Sequence, residues 1–240
     1  MLQIYENTKE LSKAAAEAFV NVAREAVQQR GKFTVALTGG SSPVELYRLL
    51  AQAPYRNQVP WQQTYIFWGD ERWVPLTDDK SNAKMAFETL LNLVPVPKDQ
   101  VFPMWKELEP AQYATEYEQL LRQHLGQENP QFDLILLGMG DDGHTASLFP
   151  GTAVLHEKTK LVQAYYLAPQ EMYRITLTAP CINAARHIFF LTFGEKKADA
   201  LYEVLEGEAN VEQYPSQLIK PFQGEPTWFA DRAAAKRLTR

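Results

Sequence analysis

The chain has 240 residues, 45% of them hydrophobic and 22% charged, which excludes disorder as its main state and leaves ample apolar material for a core. Twenty-four Lys and Arg against 29 Asp and Glu give a formal net charge of -5; this argues against a general nucleic-acid binder, while a few cations gathered in one cleft still suit a small phosphorylated ligand. The single cysteine, Cys181, excludes an intrachain disulfide and a cysteine-rich zinc site.

Residues 1–6 lack the basic flank and apolar run of a secretory signal, and no stretch approaches the ~18 consecutive apolar residues of a membrane span, so a soluble, cytoplasmic protein without a membrane partner is expected. Across residues 7–29, Leu11, Ala15, Phe19, Val22 and Ala26 recur near the helical period, with Asn7 and Glu10 placed as a capping pair. An apolar strand at 33–37 runs into Thr38-Gly39-Gly40-Ser41-Ser42-Pro43. There Ser42 as N-cap, Pro43 as first helical residue and Glu45 three beyond the cap signal a helix carrying Leu46, Leu49 and Leu50. A strand at 65–68 and a helix at 82–93, capped by Ser81, follow. Tyr113, Tyr117, Leu120, Leu121 and His124 line one face of another helix. Residues 132–137 are almost wholly apolar, the mark of a central parallel strand covered on both faces. Strands at 161–167, 173–177 and 187–193 and a helix at 196–205 complete the alternation, while 225–240, with Trp228 and Phe229, contributes to the core without an assigned role. Alternating strands and helices predict an open α/β fold with a mostly parallel sheet and its ligand at the carboxyl ends of the strands. No linker or repeat divides the chain, so residues 1–240 are expected to form a single domain.

Four polar segments follow predicted strands. The turn Gly39-Gly40-Ser41 precedes a helix start and so suits a phosphate or carboxylate, the plainer alternative being an ordinary tight turn. Trp68-Gly69-Asp70-Glu71-Arg72-Trp73 sets three charges between two tryptophans; unless this is a surface ion-pair cluster, such charges need partners. In Gly138-Met139-Gly140-Asp141-Asp142-Gly143-His144, the first six residues match G-x-G-x-x-G. However, adjacent carboxylates repel a pyrophosphate, and Pro150-Gly151 leave little room for a long helix, so a dinucleotide site is rejected. Acid–base work suits this loop better: His144 changes charge near neutral pH, and Asp142 is placed to orient it or raise its basicity. Metal binding is disfavoured, because no His-x-x-x-His pair exists and Asp141-Asp142 alone is a thin magnesium site. Finally, unless they are simply solvated surface, Arg174 within an apolar strand should point at an anion, with Lys197 near a helix start placed to join it.

Together, the segments Thr38–Pro43, Trp68–Pro75, Ser81-Asn82, Gly138–Gly151 and Arg174–Thr178 resemble, in order and spacing, the motifs of the 6-phosphogluconolactonases. The resemblance runs from about residue 34 to residue 197. It implies a Rossmann-like fold with helices on both faces of the sheet, hydrolysis of 6-phospho-D-glucono-1,5-lactone, and no metal or organic cofactor. By the same resemblance His144 is the general base, Arg72 an active-site arginine and Gly39, Gly40, Arg174 and Lys197 the contacts to the sugar phosphate, with Ser41 of the same turn expected to join them. A glucosamine-6-phosphate deaminase or isomerase is the rival, but that group carries a glutamate soon after the histidine where this chain has Leu148-Phe149-Pro150. A noncatalytic sugar-phosphate sensor would not need both His144 and Arg72.

Overall fold

Two strands with unbroken buried runs lie inside the main sheet, neither of them at its edge. In this computed structural model, which describes residues 1–239, the elements are β1 (Leu2–Tyr5), α1 (Thr8–Arg30), β2 (Phe33–Leu37), α2 (Val44–Leu50), β3 (Thr64–Trp68), β4 (Asp70–Arg72), α3 (Asn82–Thr89), α4 (Pro110–Leu125), β5 (Leu134–Gly138), β6 (Val162–Leu167), β7 (Met172–Leu177), α5 (Ala179–Asn183), β8 (His187–Thr192), α6 (Ala198–Leu205) and β9 (Thr227–Asp231). Six strands form one sheet in the order β1-β9-β8-β5-β2-β3, and every neighbouring pair in it is parallel. All five residues of β2 are buried, as are the first four of β5. Such strands have no solvent face to alternate toward, which explains their unbroken apolar runs.

Helix α1 starts as expected: Asn7 caps it by accepting from the Glu10 N–H, and Gly31 in the left-handed region ends it. Its buried stripe, from Leu11 through Phe19 to Ala26, brings Phe19 edge-on to Phe33 of β2. Helix α4 places Tyr117 edge-on to Phe67, while its His124 sits against Phe67 and Phe102. Burial, with the Lys32 charge adding to it, lowers the pKa of that imidazole. At the amino ends of the strands, far from the loops that follow β2 and β5, buried Asp133 accepts from Arg30 and from the backbone and hydroxyl of Thr34. No helix among the described residues is long and apolar enough to cross a membrane.

The structure differs from the sequence-based expectations at several elements. Ser42 does not cap α2: Pro43 occupies the cap position with helical backbone and no side-chain cap forms, because a turn at residues 42–43 leads the chain into the helix. Ser81 does cap α3, but that helix ends at Thr89, and residues 91–93 form a separate 3-10 turn. Residues 195–197 likewise form a 3-10 turn ahead of α6. Strands β6 and β7 are not in the parallel sheet; they form an antiparallel hairpin that pairs with β4 in a second, three-stranded sheet. Strand β1 was not anticipated, and the unassigned carboxyl-terminal stretch supplies β9, which joins β1 to the main sheet.

Candidate active site

The sheet order decides where a cleft opens. After β2 the chain goes to β3 on one side, and β5 then lies on the other side of β2, so the loops that leave the carboxyl ends of β2 and β5 diverge, as at the switch point of an open α/β sheet. A cleft of about 230 Å³ lies there. His144, Arg72, Gly39, Gly40, Ser41, Arg174 and Lys197 all line it; Asp142 is joined to it through His144.

The first wall is the turn after β2. Tyr47 of α2 ties it down by donating its hydroxyl to the Thr38 carbonyl and accepting the Thr38 N–H. At Gly39 the backbone presses on the buried Asn82 side chain: a Cβ there would lie 1.8 Å from Asn82 Oδ1, so any other residue must displace Asn82. Gly40 has φ 73°.

The second wall comes from the small sheet. Only Gly69 separates β3 from β4, and the period of two puts Asp70 and Arg72 on the cleft face and Glu71 on the other. Glu71 is fully buried and accepts from the N–H groups of Arg72, Asn82 and Ala83 and from the Ser81 hydroxyl. It therefore fastens the start of α3 to β4. Burial raises its carboxyl to about 7 despite those donors. Register pairs Arg72 directly with Arg174 of β7, and like charges opposite each other repel unless an anion lies between them. Burial, assisted by the Arg72 charge and opposed by Asp70, depresses the Arg174 guanidinium. Gln170 accepts a hydrogen bond from Arg174, and Arg72 Nη1 donates to the Lys80 carbonyl. The Nε atoms of both arginines are buried and have no protein partner among the described residues, which leaves donors for an anionic ligand.

The third wall is the loop after β5. It folds on itself: the Gly140 N–H bonds the His144 carbonyl and the Gly143 N–H the Gly140 carbonyl, while the Gly143 carbonyl accepts from Ser216. His144 Nδ1 lies 2.5 Å from Asp142 Oδ1, which also accepts the His144 N–H. Burial raises the Asp142 carboxyl, but the hydrogen bond and charge from His144 outweigh it and the net shift is downward. In the neutral imidazole, a charged acceptor beside Nδ1 favours the tautomer with its N–H there and its lone pair at Nε2. Phe149 stacks on the imidazole at 4.0 Å and 22°, and the Arg174 guanidinium lies 5.5 Å from the same ring. Ala146, a non-glycine residue at φ 47°, stores backbone strain at this wall. Lys197 meets Asp141 at 2.6 Å, tying the turn before α6 to the same loop.

Sequence reasoning gave no role to Asp70, Asn82, Phe149 or Gln170, all of which line the cleft. Asp70 accepts from the Ser147 hydroxyl at 2.6 Å and from Asn82, so it bridges two walls. The alternation within Asp70-Glu71-Arg72 was the available signal for Asp70; for Gln170, four residues from its arginine across a turn, the sequence carried none.

A family model described as glucosamine-6-phosphate isomerases/6-phosphogluconolactonase matches residues 6–228. A relative from Synechocystis sp. named 6-phosphogluconolactonase is 42% identical over 218 residues, covering 89% of this chain and 88% of its own. Among solved structures, 6-phosphogluconolactonase from Trypanosoma cruzi superposes with a TM-score of 0.87 at 29% identity, covering 100% of this chain and 97% of that one. A monomeric glucosamine-6-phosphate deaminase also superposes, with a TM-score of 0.84 at 21% identity and 98% of each chain covered; at that identity the likeness shows the fold alone.

Proposed function

The chain belongs to the glucosamine-6-phosphate isomerase/6-phosphogluconolactonase family, and on that premise we propose that it hydrolyses 6-phospho-D-glucono-1,5-lactone to 6-phosphogluconate. One observation carries the choice of reaction. The imidazole of His144 is tied to a carboxylate at Nδ1 and shares its cleft with the cross-strand arginine pair. The carboxylic acid that a ring-opening deaminase requires beside the histidine is replaced by the Phe149 ring.

In this reading Nε2 of His144 takes a proton from water as the water oxygen bonds to C1 of the lactone. Asp142, held ionised, stabilises the imidazolium that forms. The oxyanion at C1 takes hydrogen bonds from Arg72. When the bond from C1 to the ring oxygen breaks, the imidazolium returns its proton to that oxygen, leaving a carboxylic acid and a hydroxyl. Arg174, Lys197 and the Gly39-Gly40-Ser41 turn hold the phosphate, Lys197 exchanging part of its contact with Asp141 for the ligand. A positioned base supplies ~10²- to 10⁴-fold, and binding through the phosphate supplies orientation.

Incubation with freshly made lactone, corrected for spontaneous hydrolysis, and in parallel with glucosamine 6-phosphate tests the reading. Acid release from the first without ammonia from the second is expected. Ammonia release would establish the deaminase, and binding without turnover would establish a sensor.

A further inference from the structure

Phe149 is 8% exposed but lies outside the hydrophobic core cluster. Its ring stacks on the His144 imidazole and lies 5.5 Å from the Arg174 guanidinium, so it faces the cleft's polar groups as well as the protein interior. Its backbone is fixed as well, since the Phe149 carbonyl accepts from both the hydroxyl and the N–H of Thr152. A ring held face to face with an imidazole at 4.0 Å restricts rotation of that imidazole about its bond to Cβ. The negative face of the ring also attracts the imidazole more strongly once it is protonated.

We propose that Phe149 is a positioning residue for His144, holding the imidazole plane against Asp142 and stabilising the imidazolium that forms during turnover. The inference rests on the lactonase reading for its kinetic consequence only. Asp142 bonds the imidazole, and the charged groups that share its cleft among the described residues are Asp70 and Arg72 from β4, Arg174 from β7, and Lys197 with its partner Asp141. Replacing Phe149 removes none of these charges. A change in titration therefore reports the loss of the ring.

Four proteins make the test: the wild type, Phe149→Leu, Phe149→Tyr, and the chain with pentafluorophenylalanine in place of Phe149. In Phe149→Leu, kcat should fall about 3- to 30-fold, with KM within about threefold because Gln170 still holds Arg174. The acid limb of kcat/KM should move to lower pH, because the imidazolium has lost a stabilising face. Phe149→Tyr should resemble the wild type. The fluorinated ring keeps the shape and reverses the quadrupole, so it should move the limb in the same direction even if the leucine variant fails to fold. Lower kcat in Phe149→Leu with an unmoved limb, or a wild-type limb in the fluorinated protein, overturns the proposal. The imidazole proton resonance of His144, titrated without substrate, should shift in parallel. If the wild type does not turn the lactone over, the functional reading fails, while this titration still decides the role of Phe149.

Discussion

Gly140→Ala is a small change aimed at the dyad. A Cβ at this position would lie 2.1 Å from His144 Nδ1, 2.3 Å from its Cε1 and 2.5 Å from Asp142 Oδ1. Ordinary contact begins at 3.4 Å, so the imidazole and carboxylate must retreat by about 1 Å, and a 1 Å misplacement of reacting groups costs about 10²-fold. Gly140 is not among the residues at positive φ, so alanine meets no backbone strain there. Asp142, with 49% of its side chain exposed, can swing into solvent and relieve the crowding. The expected result is a fall in kcat of about 10²-fold with a melting temperature within a few degrees of the wild type, consistent with less than about 1 kcal/mol of lost stability. Initial-rate measurements on fresh lactone, corrected for spontaneous hydrolysis, and a thermal melt of the same sample check both parts. Wild-type kcat in a folded Gly140→Ala protein would mean that the contact between Asp142 and His144 does not matter to turnover. A large drop in melting temperature would instead locate the damage in the fold.

Three further variants probe the other walls. His144→Ala should lower kcat by about 10²- to 10⁴-fold and leave KM within a few-fold, read from the same assay; near-normal turnover would remove His144 from the mechanism. Arg174→Met should raise KM about 10- to 100-fold for the phosphorylated lactone, the range expected for a charge-assisted hydrogen bond. It should leave the slow hydrolysis of unphosphorylated gluconolactone unchanged, and an equal loss on both substrates would deny Arg174 its phosphate. Glu71→Gln mimics the protonated carboxyl that burial favours below pH 7, so in urea titrations near pH 4 its stability should lie within about 1 kcal/mol of the wild type. The buried carboxyl of Glu71 is raised from 4.5 to about 7, so its contribution is fully present below 4.5 and is lost as the pH rises through 7. Wild-type stability should thus fall relative to Glu71→Gln by up to about 3 kcal/mol over that window, and a gap constant with pH would show that Glu71 is ionised throughout.

Much of this molecule was legible in the order of its residues. Periodicity located α1 with its Asn7 cap, α4 and the buried strands β2 and β5, because local geometry fixes which positions face a core. The glycine turn, the arginine of Asp70-Glu71-Arg72 and the Asp142-x-His144 loop could be named as chemistry, since charges and glycines at strand ends have few structural uses. Sequence order could not say that β6 and β7 leave the parallel sheet to pair with β4, because pairing depends on which edges meet in space. That pairing sets Arg72 opposite Arg174 and turns Glu71 inward to hold α3. Nor did spacing reveal that Asp70 would bridge to Ser147, 77 residues away, or that Phe149 would lie on His144. Local preferences act over a turn or a strand, whereas a site joining β4, β7 and the loops after β2 and β5 exists only once both sheets have assembled and buried the charges that must then find one another.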